Sequence, residues 1–175
     1  DNDKFTFIEK QSERKYKTWF FANYINDFND NDILVFLDGD DMFSSENVLS
    51  YLNSVYNQTN CWMTYGGMRV WDGYKDPEEP YPQNSEIPDQ VKQQKIYRKD
   101  TWRTSHLKTM KHFLWRFFDK TDLCPDGKYM VGPDDLAIMF GILEMCPPEK
   151  VYRITDSLYI YNLSEDNQFS RAYTD

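Results

Sequence analysis

Ile33-Leu34-Val35-Phe36-Leu37-Asp38-Gly39-Asp40-Asp41 passes from five consecutive apolar residues straight into three carboxylates. The apolar half suits a strand covered on both faces, as at the parallel centre of an α/β sheet. Ligands of open α/β sheets bind beyond the carboxyl ends of such strands, where Asp38, Asp40 and Asp41 fall. Three acids in four residues repel one another unless a cation or water neutralises them, and oxygen-rich donor sets select Mg²⁺ or Mn²⁺. A calcium loop counted from Asp38 would place Met42 and Phe43 where it needs an oxygen ligand and a glycine, so that reading fails.

Outward from this motif, strands and helices alternate. Residues 4–9 read as a short strand and 13–28 as a helix, with Tyr16, Phe20, Tyr24 and Phe28 spaced by four. Asn and Asp crowd the break over 27–32. After the motif, Ser44 or Ser45 is expected to cap a helix running to about Asn57. The next strand is expected over 61–65, ended by Gly66-Gly67. Residues 72–94 hold four of the eight prolines and almost no aliphatic residue, which predicts an irregular loop. Residues 106–118 are amphipathic and predict a helix. Asp134–Met145 predicts a second, more apolar one, and 151–154 and 158–162 predict two closing strands. The expectation is one α/β domain over residues 1–175, with a mostly parallel sheet flanked by helices.

Composition narrows the partners. With a net charge of −9, the chain lacks the basic face that nucleic acid requires. It can bind an anionic ligand where a divalent cation bridges the two. Cys61, Cys124 and Cys146 show no paired spacing, so neither a zinc site nor a disulfide framework follows. No apolar run is long enough to span a bilayer and no signal-peptide pattern is present, which sets the expectation of a cytoplasmic protein. The sequon triplets at Asn57 and Asn162 are too short to carry weight.

A second acidic site, Gly132-Pro133-Asp134-Asp135, opens the apolar helix. The helix dipole and free N–H groups favour acids there and account for one of the two. The other is a candidate general base. Arg103, His106 and Lys108 form a small basic cluster in an acidic chain, suited to a diphosphate. His112 is six residues from His106, poor spacing for a pair on one helix face.

Three segments together resemble the family-2-like glycosyltransferases of the GT-A (Rossmann-like) type. They are Ala22-Asn23 followed by the run through Asp41; residues 61–67; and Trp102-Arg103-Thr104-Ser105-His106-Leu107-Lys108-Thr109 with Asp134-Asp135 and residues 158–162. The resemblance implies an inverting enzyme that moves a sugar from a nucleotide-diphosphate donor, such as a UDP-sugar, to a hydroxyl of a glycan, glycolipid or protein. It implies Asp40 as a direct ligand of Mn²⁺ or Mg²⁺, and Asp38 at the donor ribose or a metal-bound water. Asp41 would orient the site, and Asp135, with Asp134 beside it, would deprotonate the acceptor. Arg103 and His106 would contact the donor's diphosphate. The family's first, base-binding strand has no counterpart ahead of residue 4, so the expectation is a domain truncated at its N-terminus. A phosphatase of the haloacid-dehalogenase type is the rival, with Asp38 as nucleophile and Thr64 and Asp134-Asp135 as later motifs, although Met42 stands where that family has Thr or Val. A binding module for a glycan or nucleotide without turnover is the third reading.

Overall fold

The computed structural model describes residues 28–74, 84–130 and 134–164. The strand expected over 4–9, nearly all of the helix over 13–28, Ala22-Asn23 and Gly132-Pro133 lie outside them. The described elements, in chain order, are strand β1 (Ile33–Phe36), strand β2 (Met42–Phe43), helix α1 (Val48–Thr59), strand β3 (Met63–Trp71), helix α2 (Asp89–Gln94), strand β4 (Lys108–Lys111), helix α3 (His112–Phe117), helix α4 (Asp134–Met145) and strand β5 (Val151–Asn162).

The sheet is not mostly parallel. Its order is β1-β4-β3-β5-β2, and of its neighbouring pairs only β3 with β5 runs parallel. This corrects the Rossmann-like expectation. The cause is β4, which the sequence reading had absorbed into a helix over 106–118. Leu107, Met110 and Leu114 lie three and four apart and imitate a helical stripe. The chain instead alternates: Met110 is fully buried in the cluster beneath α4, while Thr109 turns the other way to bond Thr64 at 2.7 Å and the Tyr56 hydroxyl at 2.8 Å. β4 thereby separates β1 from β3, antiparallel to both. Among the described residues β1 pairs on one side only, and all four of its residues are half-buried, not covered on both faces.

Other boundaries move for local reasons. β3 does not stop at Gly66-Gly67 but passes through them with a shift in register against β5. Both glycines have positive φ, and a Cβ there would lie 2.5 Å from the Ile154 carbonyl oxygen or 2.4 Å from that of Asp156. Only glycine lets the two strands approach this closely. The same irregularity lets β5 continue as one strand where two had been expected. Neither Ser44 nor Ser45 caps α1, which starts after Asn47; the Ser44 hydroxyl donates to the Ser157 carbonyl at 2.6 Å. Of the loop expected over 72–94, residues 75–83 lie outside the described residues and Asp89–Gln94 form α2.

Two apolar clusters hold the helices to the sheet. Ile138, Met139, Ile142 and Leu143 of α4 pack with Met63, Tyr65, Met110 and Trp115. Val48 and Leu52 of α1 pack with Met68, Leu107, Ile154 and Tyr159. Met63 and Tyr65 share one side of β3 and Thr64 takes the other, toward Tyr56 of α1. The expected helix at Asp134 is observed from Asp134 to Met145.

Candidate functional site

The register of β1 against β4 builds the site. Phe36 faces Lys108, so the next residues beyond each strand end converge: Asp38 two places after Phe36, His106 two places before Lys108. The His106 Nε2 lies 3.6 Å from an Asp38 carboxylate oxygen and 3.8 Å from one of Asp135, which the first turn of α4 brings in. One ligand atom from each of Asp38, His106 and Asp135 lies within 4.8 Å of the other two. His106 is buried, whereas both carboxylates are about a third exposed (33% and 32%), so the cluster opens to solvent on its acidic side.

Lys108 supplies a buried positive charge. Its ammonium donates to the Asp135 carboxylate and stands 3.4 Å from His106 Nε2. A lysine this enclosed is uncommon unless paired, and Asp135 is its partner here.

β5 holds the other side. The Tyr159 ring stacks on the His106 imidazole with centroids 4.6 Å apart and planes 17° apart, and Tyr161 lies behind at 6.0 Å. The Tyr159 hydroxyl donates to the Asp41 carboxylate and accepts from the Asp38 N–H at 3.4 Å. The Asn162 N–H donates to Asp41 at 2.8 Å, and its side-chain amide donates to the Asp40 carbonyl at 3.0 Å. That amide is therefore engaged inside the fold, which argues against glycan attachment at Asn162. Burial, above all, pushes the Asp41 carboxyl above its ordinary range, and the charges of Asp40 and Asp38 push the same way. The Asn162 and Tyr159 hydrogen bonds offset part of that rise.

The structure thus gathers Asp38, His106 and Asp135, adds Lys108, and uses Asp41 as an anchor to β5. Asp40 is not in the three-residue group. Asp134 is buried beside Asp135 in the first turn of α4 and is likewise outside the group. Arg103 is engaged away from these acids, donating to Asp100 at 2.7 Å and to the Ser85 hydroxyl at 2.7 Å. Trp102 packs edge-on against Phe140 of α4, as a core residue does. Thr64, wanted beside a phosphatase nucleophile, is fully buried and bonded to Thr109.

Comparison with protein families, characterised proteins and solved structures gives no match.

The donor set fits one divalent cation. With bonds of about 2.1 Å, two donors on one ion lie at most about 4.2 Å apart. The 3.6 and 3.8 Å separations from His106 fall inside that span, and the two carboxylates, within 4.8 Å of each other, close on an ion by a small side-chain movement. An imidazole among the donors suits Mn²⁺ and the later transition metals better than Mg²⁺, which keeps to oxygen. Sequence reasoning named His106 for the donor's diphosphate and not as a ligand, and it left Tyr159 unremarked. Their signals, a histidine before an alternating segment and two tyrosines at i and i+2 of a strand, also occur in ordinary cores. Among the described residues no helix is long and apolar enough to cross a membrane.

Proposed function

We propose that this protein is a divalent-metal-dependent glycosyltransferase that moves a sugar from a nucleotide-diphosphate donor to an acceptor hydroxyl, with inversion at the anomeric carbon. The observation that carries this reading is the convergence of Asp38, from the acidic motif, and Asp135, from the distant helix start, on one buried imidazole. A metal site and a carboxylate base must sit side by side for such a transfer, because the leaving diphosphate and the attacking oxygen flank one carbon.

In this reading Asp38 and His106 hold the cation, with Asp135 within its reach. When bound, the cation offsets the charge that develops on the departing diphosphate. Asp135 takes the proton of the acceptor hydroxyl as its oxygen bonds to the anomeric carbon and the bond to the diphosphate breaks. Lys108 orients the Asp135 carboxylate, and its ammonium is a second positive group for the donor phosphates. UDP-sugars are the donors to try first, with glycans, glycolipids and proteins as acceptors. The engagement of Thr64 with Thr109 leaves the phosphatase reading without one of its expected groups.

The test is single-turnover transfer with Mn²⁺ and a panel of nucleotide sugars, in wild type and Asp135→Asn. General-base catalysis contributes roughly 10²–10⁴-fold, and the variant should lose about that much while still binding Mn²⁺ and UDP. His106→Ala should lose Mn²⁺ binding itself. Full transfer by Asp135→Asn would remove the base from this mechanism, and a wild-type protein indifferent to both Mn²⁺ and UDP would remove the function.

A further inference from the structure

Four side chains define the cluster, and they come from three segments far apart in sequence. Asp38 leaves β1, His106 and Lys108 enter β4, and Asp135 starts α4. Asp38 and His106 flank paired strands, but each lies two residues beyond the last registered pair, where the ladder no longer fixes their spacing. The Asn84 amide holds the His106 carbonyl and the Leu107 N–H donates to the Gly66 carbonyl, but neither contact reaches the imidazole or Asp38, and ligand separations within a fraction of an ångström decide whether a cation is held.

Tyr159 touches both. It is fully buried in the middle of β5, its position fixed by pairing with Met68 of β3 and Phe43 of β2. Its ring face covers the imidazole of His106, and its hydroxyl accepts from the backbone N–H of Asp38 while donating to Asp41. Asn162, three residues on, grips the same acidic turn through the Asp41 carboxylate and the Asp40 carbonyl. One rigid strand thus holds the imidazole by stacking and the acidic turn by hydrogen bonds.

We propose that Tyr159 is a positioning residue that sets the separation of the Asp38 carboxylate from the His106 imidazole, and so the affinity of the site for its cation. This rests on the metal site of the proposed function and adds the residue that tunes it. The two contacts separate by chemistry: phenylalanine keeps the stacking ring and loses the hydroxyl, leucine loses both.

The experiment titrates Mn²⁺ alone into wild type, Tyr159→Phe and Tyr159→Leu, and records the His106 ring proton signals of each protein by NMR before any Mn²⁺ is added. Removing an outer partner of metal ligands typically costs ~10–100-fold in metal affinity. Tyr159→Phe should lose about that much while the His106 protons keep the ring-current displacement of a stacked pair. Tyr159→Leu should lose the displacement and more affinity. Asp41→Asn, combined with Tyr159→Phe, should cost less than the sum of the two single losses, because both disturb the Tyr159–Asp41 contact. Should Tyr159→Phe fail to fold, Asp41→Asn alone must reproduce a weakened site. Wild-type binding with unaltered affinity in Tyr159→Phe, or in Asp41→Asn, overturns the positioning role and leaves the proposed function standing. A wild-type protein that binds no Mn²⁺ overturns the metal site and this role with it.

Discussion

Lys108→Met removes the buried positive charge at the centre of the cluster and keeps most of the side chain's volume. Ligand oxygens of Asp38 and Asp135 lie within 4.8 Å of one another. At an effective dielectric of about 20, two unit charges at that distance repel by about 3.5 kcal/mol. Both carboxylates are about a third exposed, so water screens roughly half of this. The lost charge-assisted hydrogen bond to Asp135 adds to the cost. The variant should be less stable than wild type by roughly 1–3 kcal/mol without metal. For a chain of this size that corresponds to a fall in Tm of roughly 2–10 °C.

Mn²⁺ should reverse the order of effects. In wild type a cation arriving at Asp38 and His106 meets an ammonium 3.4 Å from the His106 Nε2, and in the variant it does not. Lys108→Met should therefore bind Mn²⁺ more tightly, by about tenfold, and saturating Mn²⁺ should recover most of its lost stability. The assay is thermal unfolding of both proteins over a Mn²⁺ titration, with Ca²⁺ as a control for general screening. A deficit of the same size with and without Mn²⁺ would refute the idea that lysine and cation share one acidic site.

Three further outcomes follow from other parts of the fold. Tyr97 is 2% exposed and its hydroxyl has no hydrogen-bond partner among the described residues, so Tyr97→Phe should be neutral or stabilising by up to about 1 kcal/mol in urea melts. The Arg103 guanidinium holds the Asp100 carboxyl below its ordinary value of 3.8, so the pair's stabilisation is complete above that pH and is lost as pH falls through the lower, folded value. Asp100→Asn should accordingly cost ~0–1 kcal/mol near neutral pH and nothing at the acid end, read from urea midpoints across pH. Burial pushes the Cys146 thiol up to about 12, so at about pH 8 a thiol reagent should leave it unmodified in the native protein and modify it on unfolding, while the half-exposed Cys124 reacts first.

The parts of this fold legible in the sequence are those where one physical signal acts alone. Residues 134–145 carry two acids and then an apolar run from Leu136 to Leu143, and helix α4 occupies them. The apolar run at 33–37 was legible as a strand, which occupies Ile33–Phe36, although it is half-buried and not covered on both faces. β4 was illegible because two signals compete over the same residues. Leu107, Met110 and Leu114 satisfy a helical spacing, whereas Leu107 with Thr109 and Lys108 with Met110 satisfy a strand's alternation. The strand wins through tertiary pairing: Thr109 meets Thr64 and Tyr56, and Met110 closes the core beneath α4. Lys108 misled for a related reason. A lysine reads as solvent-facing until its partner is known, and Asp135 is a partner no local window contains.

The same misreading bears on function. A helix from 106 to 118 would carry successive side chains around its axis, so His106 and Lys108 would not face the same way. A strand antiparallel to β1 places residues two apart on one side and sets its own beginning against the carboxyl end of β1. His106, just before β4, then comes within 3.4 Å of the Lys108 ammonium and 3.6 Å of the Asp38 carboxylate. The antiparallel insertion that breaks the expected parallel sheet is thus the element that assembles the site. The acids were visible in the sequence because charge beside an apolar run is a local feature. The imidazole and ammonium that give those acids a chemistry depend on strand direction, which is settled only when β1, β4 and β3 pair.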